Sequence, residues 1–162
     1  MLGTSLLQHI LEFLVRKHLP TLHTHLDSLK FPLSLITQAW FITLFFGVLP
    51  IHVALRVFDV FVFEGTEVLL RVALAVLQLK QEKLLQAKGQ VDIITCLQGK
   101  IMFTAEELMP IAQSFELPEE KLESIQSVAN FNLLGEMEKN RRAETIKALR
   151  KKLSCLFFSF QH

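Results

Sequence analysis

Apolar residues recur at helical spacing from the start of the chain. Leu6, Leu7, Ile10, Leu11, Leu14 and Val15 share one face of a helix expected to end near Lys17, with Ser5 and Gln8 at capping-box spacing. Pro20 suits a first helical turn, and Leu19, Leu22, Leu26 and Leu29 predict a second, shorter helix. Lys30-Phe31-Pro32 reads as a turn, and a third helix is expected from Leu33 to Phe46. From Trp40 to Leu77 the polar face almost disappears: WFITLFFGVLPIHVALRVFDVFVFEGTEVLLRVALAVL predicts successive apolar helices with hard breaks between them. Gly47 and Pro50 mark one break, the glycine suiting a helix end and the proline a first turn. Gly65 closes the next helix, and Thr66 is placed to cap the one after it.

In the helix between those breaks, Arg56 and Asp59 stand one turn apart on an otherwise apolar segment. An isolated buried charge is costly, so they are expected to pair as a fixed structural contact. The following helix is expected to run on through LQLKQEKLLQ and leave the core. Beyond Gly89, Asp92 to Leu97 allow one or two helical turns. Thr104 and Glu107 form a second capping-box signature before Leu108, Ile111, Ala112 and Phe115, with Pro110 expected to shorten or bend that helix. Pro118-Glu119-Glu120 is a further helix start, continued by Leu122, Ile125 and Ala129. Val57 to Phe63 is β-branched and aromatic, yet its neighbours keep helical spacing. The prediction is all-α.

The order of WFITLF, LP, ALRVFD, FEG and VLLRVALAVL resembles the C-terminal half of a TBC domain, the catalytic domain of Rab GTPase-activating proteins. The upstream run LLQHILEFLVRKHLPTLHTHLDSL also resembles the family segment before the tryptophan. The resemblance covers about Leu6 to Leu85 and implies an orthogonal multi-helix array, here with additional C-terminal helices. It assigns structural roles to Trp40, Phe41, Leu44, Phe45, Pro50, Arg56, Asp59, Glu64 and Gly65. The domains so read are a partial TBC-like region, 1–88, a helical extension, 89–138, and a basic tail, 139–162.

By that resemblance, an arginine from I-x-x-D-x-x-R and a glutamine from Y-x-Q would act on the GTPase in trans. An arginine finger is worth about 10³–10⁵ in rate. No isoleucine here has Asp at +3 and Arg at +6, and the chain has 0 tyrosines. In the family both motifs precede the tryptophan helix, in the half this chain lacks. The chain is therefore expected to be no enzyme: an activator-family relative without intrinsic catalysis and without catalytic residues. Arg16, Arg56 and Arg71 match neither motif.

Composition narrows the alternatives. A net charge of +1 makes no global field for nucleic acid. Cys96 and Cys155 are too few and too far apart for a disulfide framework or zinc site. His18, His23, His25 and Asp27 are possible metal ligands, but His23 and His25 point to different helix faces and read as solvated surface groups. No metal and no cofactor is expected. The N-terminus lacks secretory-signal character. Phe31 to Leu55 is free of formal charge, long enough to span a bilayer, yet broken by Pro32, Gly47 and Pro50, and so is expected to form buried helices.

The tail carries Lys139, Arg141, Arg142, Lys147, Arg150, Lys151 and Lys152 against Glu144, interleaved with Ile146, Leu149 and Leu153. Such a weakly amphipathic basic segment can contact a membrane surface. The expected partner, by resemblance, is a Rab-type small GTPase in vesicle trafficking, with the chain cytoplasmic or peripheral on endomembranes. The other reading is a helical interaction or membrane-associated protein with no GTPase link. The Trp40 and Val68–Leu77 helices are expected to leave exposed apolar faces, since a full domain would pack further helices on them, and hence to drive self-association.

Overall fold

Of the apolar helices, one ends up with nearly all of its apolar side chains buried. In the computed structural model, which describes residues 2–99, 102–118 and 123, this is α5 (Glu67–Leu79). From Val68 to Leu77 every residue is buried except Arg71. A helix that is hydrophobic all round cannot rest on a surface and must be enclosed. Packed against it are α1 (Leu2–His18), α3 (Ser34–Ile42), α4 (Ile51–Glu64) and α8 (Ala105–Ser114). The remaining helices, α2 (Pro20–Ser28), α6 (Gln81–Leu85) and α7 (Gln90–Gln98), close one end, α2 on α6 and α6 on α7. Among the described residues all regular structure is helical, apart from an isolated bridge between Phe46 and Leu49. All of these helices belong to one compact unit, Met1–Ile125; the second unit, Gln126–His162, lies outside the described residues, and with it the basic tail.

Several boundaries differ from the sequence expectation, each for a local reason. The first helix already begins at Leu2, so Ser5 is inside it, not at its N-cap. Gln8 spends its side chain elsewhere: its Oε1 accepts from the Thr37 hydroxyl at 2.7 Å, joining α1 to α3. The third helix stops at Ile42, not Phe46. There the Phe45 amide donates to the Trp40 carbonyl at 2.8 Å and the Leu44 amide to the Phe41 carbonyl at 3.4 Å. Leu44 takes φ 49° and Phe45 φ 63°. This is the Schellman pattern of a helix end, made without glycine.

A left-handed conformation costs a bulky residue about 1–2 kcal/mol. What offsets it is burial: Phe45 is fully covered, its ring 5.7 Å from Trp40 and 6.4 Å from Phe41. Burying such a side chain is worth about 1.5–3 kcal/mol. The second helix ends the same way. Phe31 donates to the Leu26 carbonyl at 3.0 Å, Lys30 sits at φ 51°, and both Leu26 and Phe31 are buried.

The fifth helix does not run on through LQLKQEKLLQ. It breaks at Lys80, and α6 turns back so that Leu84 enters the core. Lys80 donates from Nζ to the Cys96 carbonyl, tying this break to α7. Burial is the main cause that holds its pKa below the usual lysine value; the nearby Cys96 raises it and Lys83 lowers it, by less. The capping box at Thr104 is present in full, the Glu107 amide donating to Thr104 Oγ1 and the Thr104 amide to Glu107 Oε2. Despite Pro110, α8 continues to Ser114.

Enclosure of α5 carries a measurable consequence. Leu74→Ala, at a fully buried site, is expected to cost about 2–5 kcal/mol of stability. Val62→Ala, at a position 64% exposed, should change it by less than about 0.5 kcal/mol. Urea denaturation of the two variants measures the contrast, and equal losses would show that α5 is not the centre of the core.

Candidate interaction surface

The residues singled out by sequence divide into a buried corner and an exposed face. Trp40, Phe41 and Phe45 form the aromatic interior of the corner, and Leu44 is half-buried beside them. Pro50 lies just before α4 as its N-cap (φ −54°, ψ 144°) and not in its first turn. Its carbonyl accepts from the Val53 and Ala54 amides, both at 2.9 Å. At the far end Gly65 takes φ 81° and ψ −156°, a conformation reserved in practice for glycine. It reverses the chain from α4 into α5. Thr66 is already helical there and makes no side-chain cap.

Glu64 locks this reversal. Its Oε2 lies 3.4 Å from Arg71 Nη1, and Glu67 Oε2 lies 3.8 Å from Arg71 Nη2. Arg71 is thus the one residue of the buried α5 run that keeps a polar surface, and it spends that surface on the α4–α5 corner. Being half-exposed, the pairs add at most about 1 kcal/mol. They bridge the end of α4 and the first two turns of α5.

Arg56 and Asp59 do not form the expected fixed contact. Both are exposed, and the ion pairs found among the described residues are those of Arg71. The reason is the orientation of α4, which buries Val53, Ala54 and Val57 against α5 and turns the opposite side to solvent. Ile51, Leu55, Phe58 and Val62 recur at i, i+4, i+7 and i+11 along that outer side, and all are exposed. His52, Arg56, Asp59 and Phe63 repeat the same spacing on the adjacent stripe, with Phe63 91% exposed. The expected location of exposed apolar surface is corrected accordingly. The Val68–Leu77 run, Arg71 apart, is buried; the Trp40 helix buries Trp40 itself but exposes Leu35 and Ile42, and α4 presents the longer apolar face. Sequence could not separate the two, because α4 and α5 are almost equally apolar and only packing tells which is enclosed.

The histidines are less solvated than expected. His25 donates from Nε2 to the Ala87 carbonyl at 3.1 Å, fastening α2 to the α6–α7 connection. His18 meets the Phe115 ring edge-on at 5.2 Å. No three metal-capable side chains lie together among the described residues. A cleft of about 220 Å³ between α1 and the start of α3 is lined by Gln8, Leu11, Glu12, Pro32, Leu33 and Ser34. Among the described residues no helix is long and apolar enough to cross a membrane.

The described residues thus form an all-helical array with a tryptophan corner, a proline-led helix and a glycine reversal into a buried helix. Residues 1–85 match the family model described as the Rab-GTPase-TBC domain, and the chain belongs to that family. The ecotropic viral integration site 5 protein homolog of Homo sapiens is 41% identical over 75 residues, 46% of this chain and 9% of that protein. Small G protein signaling modulator 3 of Homo sapiens is 37% identical over 114 residues, 69% of this chain and 15% of that protein. A protein of Emericella nidulans named as a GTPase-activating protein is 35% identical over 117 residues, 72% of this chain and 10% of its own length. The chain thus spans only a small part of the curated relatives it matches.

This membership overturns the expectation that the chain, an activator-family relative, is no enzyme. Residues 1–85 match the Rab-GTPase-TBC domain, and the Emericella nidulans relative is itself named as a GTPase-activating protein. The expectation rested on two side-chain motifs, whereas the match to the family is made by residues 1–85 as a whole.

The reversal at Gly65 yields a direct test. A Cβ there would meet nothing within 4 Å, so Gly65→Ala probes backbone strain alone and is expected to cost about 1–3 kcal/mol. Thermal or urea unfolding reads the loss, and an unchanged midpoint would mean that the corner adopts another conformation.

Proposed function

We propose that this chain acts in GTPase activation of a Rab-type small GTPase, as the C-terminal helical portion of a TBC domain. The observation that carries the reading is the family match over residues 1–85, joined to the folding of its signatures into one corner. Trp40 and Phe45 lie inside it, Gly65 and the Glu64–Arg71 pair join α4 to α5, and α4 is held outward. A scaffold of this kind acts by presenting a shaped surface to the GTPase and positioning the groups that stabilise charge in phosphoryl transfer. The exposed apolar face of α4 also supports self-association. A peripheral endomembrane location fits regulation of vesicle trafficking, the basic tail of residues 139–162 supplying a surface contact.

GTP hydrolysis by a panel of purified Rab proteins, with and without this chain, tests the proposal together with pull-down of the GTP-loaded forms. Saturable binding of at least one Rab, or faster hydrolysis by it, is expected. Neither effect with any member of a broad panel would overturn the reading.

A further inference from the structure

We propose that the outer face of α4 is a two-fold, antiparallel docking surface for a second copy of this chain, with Arg56 of each copy facing Asp59 of the other. The inference rests on the self-association proposed above and specifies its site. Both stripes on the face are self-complementary about nearly the same point. Reversing the helix direction exchanges Ile51 with Val62 and Leu55 with Phe58, a centre between residues 56 and 57. The same operation exchanges His52 with Phe63 and Arg56 with Asp59, a centre between residues 57 and 58. The two centres lie one residue apart, about 1.5 Å along a helix.

A two-fold axis through that point lays apolar stripe on apolar stripe. In an antiparallel helix pair the same flank of each helix meets its equivalent, so the charged stripes meet as well. Each two-fold dimer then gains two Arg56–Asp59 pairs, the repeated contact expected of an isologous interface. Both side chains are exposed and make no ion pair among the described residues, so pairing across the interface breaks none of those contacts. Flanking them, Leu55, Phe58, Val62 and Phe63 would be withdrawn from water. A helix of 14 residues is short for this purpose, about 21 Å. Alone it offers less than the area of a standard stable interface, so the dimer is weak and concentration-dependent.

Sedimentation equilibrium of the full chain, at concentrations rising to about 1 mM, tests the proposal. The wild-type chain is expected to dimerise reversibly. R56D and D59R are each expected to weaken the dimer at least tenfold, because each replaces two attractive pairs with two repulsive ones. The double variant R56D/D59R should regain it, and so should an equimolar mixture of the two single variants, in which every pair is again complementary. Both positions are exposed, so the variants should keep wild-type circular dichroism.

A wild-type chain that stays monomeric overturns this proposal and self-association with it. A wild-type dimer that neither reversal weakens, or that weakens without recovery in the mixture, overturns the α4 face and leaves self-association standing. A monomer whose R56D variant loses binding to a GTP-loaded Rab assigns the face to the GTPase instead.

Discussion

Enclosure of α5 is the constraint on which the other packing decisions depend. Nine of its residues, between Val68 and Leu77, are buried, and a helix apolar on every side has no face to turn to water. Four other helices must therefore surround it, and each can do so only by committing its own apolar stripe inward. The stripe of α1 (Leu7, Leu11, Leu14) and that of α8 (Leu108, Ala112) are consumed in this way. In α4 only Val53, Ala54 and Val57 are consumed fully, and the surplus apolar residues remain outside. The exposed face of α4 is thus what remains of a very apolar helix after one side has covered α5.

The turns that allow this enclosure follow two different chemistries. At Gly65 the backbone itself is chosen for the conformation, and no neighbour has to contribute. At Lys30, Leu44 and Phe45 the conformation is unfavourable for the residue present and is held by what it buries. Phe31 and Phe45 each close a helix end by folding back onto its last turn, Phe31 toward Leu26 and Phe45 toward Trp40. Such ends couple local geometry to the core. A change in the interior near Trp40 would be felt at once in the direction of the segment leading to α4.

Function follows from where those directions lead. Of the residues singled out by resemblance, Trp40, Phe41 and Phe45 are interior, while Arg56, Asp59 and Glu64 lie at the surface of α4. At the corner one half-buried cation, Arg71, holds Glu64 and Glu67, whereas Arg56 and Asp59 are exposed and make no ion pair among the described residues. Charge on a surface of this kind decides register and selectivity more than affinity, which comes from the apolar residues beside it.

The helical class, the breaks at Pro50 and Gly65, the capping box at Thr104 and the family were all legible in the residues. Each depends on local chemistry or on an ordered set of short signatures: periodicity, a fixed proline φ, a glycine-only conformation, a side chain reaching its own backbone. What could not be read was anything settled by distant partners. The end of α3 at Ile42 is decided by Trp40 and by burial of Phe45, not by the glycine two residues further on. Ser5 looked like a cap, but the helix extends past it and Gln8 pairs with Thr37, 29 residues away. Above all, α4 and α5 carry nearly the same apolar content, and composition alone cannot say which is inside. That choice belongs to packing: only one helix can occupy the centre, and the other must keep a side in water.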